Sequence, residues 1–269
     1  MDTHVIAPVQ NNGRGLSPFW NTCPMTAIRN DPGMGSYQEG NFYSEGILTP
    51  TITTRIGVNG WNMFGSSGGT VTFSDTLDGG WIFSETTNDE GINITKEQHP
   101  FRISSNAGPL WFEWRGKIST VATLEHSFFI GLMDNTAATA IVPITAAHVI
   151  ADLNCVGFHR TEADTTAVDF SYQNDGSPTD AVVISDGVGT FAADTYIKLG
   201  FYFGGVQDPT LYSYINGAKQ TATKTIPNAT GTDFPADVGL GIVVAYLVGS
   251  AASDNTMTNS WVKCFQKAV

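Results

Sequence analysis

Between Trp111 and Ser119, apolar and charged side chains alternate one for one. Phe112, Trp114 and Ile118 fall on one side of the chain, and Glu113, Arg115 and Lys117 on the other. A period of two is what a pleated strand presents, and no helix can gather such a set on one stripe. The spacing therefore predicts a half-buried strand of an antiparallel sheet. The same period recurs at Tyr196–Phe203, where Ile197, Leu199, Phe201 and Phe203 share a side, and at Val168, Phe170 and Tyr172. Shorter runs of strand character lie at Val71–Phe73, Trp81–Phe83, Phe128–Leu132, Val156–Phe158, Val182–Ile184, Gly241–Leu247 and Trp261–Phe265.

Turn dipeptides separate these runs: Asn59-Gly60, Asp78-Gly79, Asp175-Gly176, Asp186-Gly187 and Asn216-Gly217. Each places residues that tolerate positive φ where a hairpin needs them. Leu211–Ile215 followed by Asn216-Gly217 is the clearest hairpin. The one helix candidate is Thr145–Asp152, cut off upstream by Pro143. So many strands within 269 residues predict a single all-β domain, an antiparallel jelly-roll β-sandwich spanning residues 47–269. Residues 1–46 read as an irregular N-terminal arm. Four prolines and six glycines break it up, but Phe19, Trp20, Phe42 and Tyr43 give it aromatic weight that a disordered tail lacks. Such a segment should pack, either on its own sandwich or on a neighbouring subunit.

Charge narrows the partners. The formal net charge is −12, and Val121–Thr195 holds ten acidic residues against Arg160 alone. Nucleic acid requires clustered Lys and Arg, so it is not an expected partner, and an anionic membrane surface is disfavoured on the same ground. The apolar run Gly239–Leu247 is too short and Gly-rich for a membrane span. Cys23, Cys155 and Cys264 are odd in number and far apart, which suits buried thiols in a reducing compartment. The start, Met1-Asp2-Thr3-His4, has neither the basic nor the apolar region of a signal peptide.

The order of segments in the last 160 residues or so carries a resemblance. Ile130-Gly131-Leu132-Met133-Asp134 is followed by Val156-Gly157-Phe158, then Tyr196–Phe203, then Tyr214-Ile215-Asn216-Gly217, and finally Ser260-Trp261-Val262-Lys263. This order resembles the concanavalin A-like lectin/glucanase superfamily, and within it the proteins found in tailed-phage structural gene clusters. The resemblance implies a jelly roll of two curved sheets. It also implies a non-enzymatic virion component, a capsid decoration or cement protein made in the host cytoplasm. Its partners would be the major capsid protein and itself, as a homotrimer. The arm residues Phe19, Trp20, Phe42 and Tyr43 are the candidate shell contacts. The alternative role is a carbohydrate-binding, lectin-like module on a phage head or tail fibre, with Trp111 and Tyr212 as the candidate sugar-stacking rings.

No catalytic, cofactor or metal site is expected. Glucanases of this superfamily use a Glu-x-Asp-x-Glu strand, which sets three carboxylates on one face. This sequence has no such triplet, and Glu113 stands beside Arg115 and Lys117. Glu85, Asp89 and Glu90 read as a solvated turn. Ala167–Asn174 is similar to the metal-binding strand of legume-type lectins, but Ser171 stands where a second carboxylate is needed. His159 with Glu162 and Asp164 could suggest a site, although a histidine facing out from a strand edge explains it equally well. Gly65–Thr70 has no Lys and no following helix, so it is not a phosphate loop.

Overall fold

The computed structural model describes residues 18–42, 56–58, 60–65, 69–74, 79–134, 144–145, 147–164, 166–175, 182–225, 237–251 and 255–269. Sixteen strands follow one another: β1 (Gly35–Asn41), β2 (Ile56–Val58), β3 (Trp61–Gly65), β4 (Thr70–Phe73), β5 (Trp81–Ser84), β6 (Gly91–Lys96), β7 (Leu110–Ile118) and β8 (His126–Met133). They continue as β9 (Cys155–Arg160), β10 (Ala167–Gln173), β11 (Val182–Thr190), β12 (Ile197–Phe203), β13 (Thr210–Ile215), β14 (Ala218–Thr225), β15 (Gly241–Val248) and β16 (Thr256–Lys267). They form two antiparallel sheets. Sheet I runs β14-β13-β12-β7-β16-β5-β4, with β1 also paired to β16, and sheet II runs β11-β10-β9-β8-β15-β6-β3-β2. The result is the all-β sandwich that the alternation predicts.

The core lies where the two inner faces meet. Phe112 and Trp114 of β7, Leu199 and Phe201 of β12, Phe158 of β9, Phe170 of β10 and Tyr246 of β15 all belong to it. Phe201 sits between Phe112, at 4.8 Å, and Phe170, at 5.5 Å, so aromatic contacts cross from one sheet to the other. The 12-residue β16 ties the assembly together, pairing with β7 on one side and with β5 and then β1 on the other. The β13–β14 hairpin turns at Asn216 and Gly217, with φ of 51° and 82°, as their sequence requires.

Three expectations need correction. First, residues 18–42 are not an irregular arm beside the sandwich. A 3-10 turn (Pro18–Thr22), a short helix (Met25–Asn30) and strand β1 build them onto sheet I. Gly35-Ser36-Tyr37-Gln38-Glu39-Gly40-Asn41 has no apolar alternation, which hides the strand, and its place comes from pairing with β16. Second, Thr145–Asp152 contains no helix among its described residues. Ile144 bridges Ile150 and the chain reverses through His148, whose φ is 58°. Third, Asp186-Gly187 lies inside β11 rather than between strands. Gly187, at φ 59°, makes a bulge there and donates its N–H to Asp169 Oδ1 at 2.7 Å.

The N-terminal segment also changes the character of β7. Its charged side faces away from the core, as expected, yet Glu113 is completely buried, because Phe19 and Trp20 cover it. Trp20 Nε1–H donates to Glu113 Oε2 at 2.7 Å. The Phe19 ring stacks on Tyr214 and rests against Gly200, where a Cβ would come within 3.4 Å of it. Thus β7 is buried on both faces over this stretch, although its sequence reads as half-buried.

Two outcomes follow. Trp20→Phe keeps an aromatic ring but removes a donor from the buried Glu113 carboxylate, so denaturant unfolding should show a loss of roughly 1–3 kcal/mol; an unchanged midpoint would contradict the pairing. At the sheet II end of the core, His126 is buried and neither ring nitrogen has a partner among the described residues. Burial, with the nearby Arg160 charge, pushes its pKa down to about 3. The folded state then disfavours the proton that the unfolded state accepts near pH 6.5. Stability present above that pH should fall as pH drops towards 3, by up to ~1.4 kcal/mol per pH unit. His126→Leu should flatten that part of the stability-against-pH curve.

Candidate binding surfaces

Each sheet also has an outer face, and the two differ. On sheet II, the centre of the outer face is built from Phe129, Gly131 and Met133 of β8 and Cys155, Gly157 and His159 of β9. Gly131 stands directly opposite Gly157. Val243, Ala245 and Leu247 of β15 extend this surface, and Ile144, Ile150 and Leu153 pack over it. The floor is therefore closed. Its polar members, Asn62, Asn93, Thr95, Ser127, His159, Ser171 and Gln173, are all buried.

Two Ser–His–acid groupings lie on this face. Ser127 Oγ is 2.8 Å from His148 Nδ1, and His148 Nε2 is 3.1 Å from Asp89 Oδ1 and 3.6 Å from Glu162 Oε2. The hydrogen-bond logic is that of an activated serine. Yet Ser127 has 0% exposure and sits beneath the 144–154 segment, so no substrate carbonyl can reach its oxygen. The grouping is a latch that fastens this segment to the sheet. Asp89 and His148 both hold positive φ, at 59° and 58°, to make the contact. Asp89 is an exposed turn residue, as read, and also serves the latch, whereas Glu85 is buried, 2% exposed, and accepts from the Thr86 and Thr87 N–H groups, which corrects that part of the solvated-turn reading.

The second grouping joins Ser171 Oγ to His159 Nδ1 at 3.0 Å, with Asp169 Oδ2 3.8 Å from His159 Nε2. His159 is mid-sheet and buried, not at a strand edge. Burial pushes its pKa down to about 4. Asp169 is pushed up to about 6, first by burial and against the Gly187 N–H, then by the Asp164 and Asp186 charges. The His159 ring and the Asp169 carboxyl are thus both shifted towards their neutral forms. The outer face of β9 offers Cys155, Gly157 and His159, none of them a carboxylate. Among the described residues, no group of three or more His, Cys, Asp or Glu is placed to hold a metal ion. The three cysteines are free thiols, and Cys155 and Cys264 are buried.

Sheet I presents a row of rings across five strands: Tyr212 (β13), Tyr202 (β12), Trp111 (β7), Phe265 (β16) and Tyr37 (β1), each opposite the next in the ladder. The middle of the row is covered. Trp111 is only 3% exposed, packs in a cluster with Phe19, Trp20 and Ile28, and donates its Nε1–H to Thr22 Oγ1 at 3.2 Å. It is on the outward side of β7, as its position in the alternation indicates, but it is no open sugar platform, and that expectation is corrected. The arm rings are likewise internal: Phe19, Trp20 and Phe42 are 8%, 2% and 0% exposed. Phe42 packs against Trp61 and Trp81 within the sandwich. These three are folding contacts of their own chain, not an open shell-contact surface. Tyr43 lies outside the described residues.

The row is open at both ends, at Tyr37, 45% exposed, and at Tyr212 with Tyr202. At the latter end the two rings are near-parallel, at 18°, with centroids 6.1 Å apart, and both are half-buried. Lys219 Nζ lies 3.6 Å from the centroid of Tyr212, whose hydroxyl donates to Asp208 Oδ2 at 2.9 Å. Tyr202 carries no mark in the sequence as a partner of Tyr212; the antiparallel register supplies it.

No protein-family model matches the chain, and no curated protein matches it. Solved structures do. A protein of unknown function from Shewanella oneidensis MR-1 superposes with a TM-score of 0.54 at 10% identity, covering 91% of this chain and 94% of that one. The Emp47p carbohydrate recognition domain gives 0.54 at 10% identity, covering 86% and 98%. The Crh5 transglycosylase in its apo form gives 0.52 at 16% identity, covering 88% and 87%. At these identities the likeness is one of fold, and the fold is the concanavalin A-like jelly-roll sandwich.

The latch makes a testable statement. Ser127→Ala and His148→Ala should each speed hydrogen exchange and proteolysis in the 144–154 segment. The native protein should not react with a fluorophosphonate probe; labelling at Ser127 would show an accessible nucleophile and overturn the latch.

Proposed function

We propose that this chain is a non-catalytic, lectin-like binding protein that holds carbohydrate on the outer face of sheet I. The observation that carries the reading is the Tyr202–Tyr212 shelf. Parallel aromatic rings offer flat apolar area to the C–H face of a pyranose, with Lys219 lying over one face of Tyr212 and Asp208 bound at its hydroxyl to supply polar contacts. Rigid backing comes from the ladder beneath, so little ordering is left for binding to impose. Two fold neighbours, a carbohydrate recognition domain and a transglycosylase, agree with a sugar ligand. The Ser–His groupings do not add an active site, because Ser127 and Ser171 are both buried.

A finer role, as a capsid decoration or cement protein on a phage shell, rests on the order of segments from Ile130 to Lys263 and on its resemblance to virion proteins. In that role the chain would bind the major capsid protein, assemble as a homotrimer and sit on the capsid surface. With Phe19, Trp20 and Phe42 internal, the shell contact would fall on other residues, and the sugar shelf would face outward.

A thermal-shift and calorimetric screen against neutral and acidic oligosaccharides tests the first reading. At least one glycan should raise the melting temperature, and Tyr212→Ala should weaken its binding about tenfold, equivalent to roughly 1.4 kcal/mol. No response across a broad set would overturn it. Cosedimentation with assembled capsids that lack the protein tests the finer role. Saturable binding at a fixed ratio to the shell subunit supports decoration, and an absence of binding removes it while leaving the glycan reading intact.

A further inference from the structure

At the far end of the aromatic row, Tyr37 stands on β1, which pairs with β16 and with no other strand among the described residues. Its ladder partner is Phe265, and the two rings lie almost flat together, at 13° with centroids 5.4 Å apart. Phe265 is fully buried, whereas Tyr37 is 45% exposed. Because Phe265 lies one strand inward and β1 is marginal, one face of Tyr37 is backed by a buried ring and the other looks out from the sheet. The stacking fixes the ring before any ligand arrives, so binding has little ordering left to impose.

Polar groups flank this ring. Gln38 and Gly40 turn inward and Tyr37 and Glu39 outward, so Glu39 shares the outer face with Tyr37, roughly 7 Å along the strand. The Glu39 carboxylate accepts from the Arg29 guanidinium, which itself lies 5.3 Å from the Phe265 ring centroid, and Lys263 Nζ is 4.0 Å from Glu39. The Arg29 side chain remains 41% exposed and that of Glu39 25%. A guanidinium has more N–H groups, and a carboxylate more lone pairs, than one contact uses, so the pair is held in place and can still bind hydroxyl groups. Tyr212 has similar company, with Lys219 over its ring and Asp208 at its hydroxyl. Each end of the row therefore joins an aromatic ring to polar groups of both signs, which suits hydroxyls better than a single ionic group.

Both ends face the same side of sheet I. Four ladder steps separate them, from Tyr212 through Tyr202, Trp111 and Phe265 to Tyr37, or roughly 19 Å at ordinary strand spacing. One pyranose cannot touch both ends, but a linear chain of several can, crossing above the segment that covers Trp111. We propose that Tyr37 is a second sugar-stacking subsite, and that the two ends of the row bind one linear neutral polysaccharide laid across the strands of sheet I. The inference rests on the Tyr202–Tyr212 reading and names the ligand class within it. Its signature is a dependence on chain length. Once one end holds the glycan, the other meets it at high effective concentration, so a chain long enough to span both gains affinity.

Calorimetric titration of the full chain with cello- and manno-oligosaccharides, each as the disaccharide and the hexasaccharide, tests this. In at least one series the hexasaccharide should bind at least tenfold more tightly than the disaccharide. Tyr37→Ala should remove that gain while the disaccharide still binds the tyrosine shelf. Tyr37→Phe, which keeps the ring, should retain the gain, and this guards against a folding defect. Equal affinity of the two lengths overturns the second subsite, and so does a gain that survives Tyr37→Ala; in either case, binding that Tyr212→Ala weakens leaves the proposed function standing. Hexasaccharide binding lost in Tyr37→Ala but untouched by Tyr212→Ala overturns the shelf and the two-ended site with it. Binding of neither series overturns the linear neutral class, and the wider glycan screen then decides the proposed function separately.

Discussion

The structure depends on the pairing of β7 with β16. This ladder lies in the middle of sheet I and joins residues roughly 150 positions apart in sequence. It places Phe112 and Trp114 over the inner face, where rings from both sheets interlock, and it gives β1 the edge of β16 to pair with. Because the contact is so distant in sequence, its loop-closure cost must be met before the core rewards it, and folding should be correspondingly slow. The N-terminal segment then completes the arrangement from outside. It closes over Trp111 and Phe265 and supplies a donor for the buried Glu113 carboxylate.

From that frame the two outer faces take different fates. On sheet II, the 144–154 segment is fastened by the Ser127–His148–Asp89 contacts and seals an apolar floor. Of the groups that look chemically able, Ser127 and His148 are consumed in holding it shut, and the buried Ser171 and His159 bind each other within the sheet. On sheet I, the cover stops short of the ends of the aromatic row. Recognition by this protein, in our account, therefore sits on sheet I. The same cover that stabilises β7 also leaves the tyrosine shelf open beside it.

Much of the fold was legible because burial on one side writes a period of two into the sequence. Phe112/Trp114, Ile197/Leu199/Phe201 and Val168/Phe170/Tyr172 all turn inward as read. The strands that escaped notice lack that period. β6, Gly91–Lys96, is buried on both faces, and β1 is held by its ladder rather than by apolar residues. The site was less legible. Tyr212 was visible as an aromatic on a hairpin, but its partner Tyr202 comes from a register that local sequence does not encode. Trp111 looked open because nothing near it in sequence announces that Thr22 and Trp20, some 90 residues earlier, will cover it.

Hydrogen–deuterium exchange, with and without a saturating oligosaccharide, tests the central claim most directly. The account predicts that added protection is confined to sheet I, on β12 to β14, for a ligand on the tyrosine shelf. Protection appearing instead on β8 to β10 and the 144–154 segment would place recognition on sheet II and contradict it.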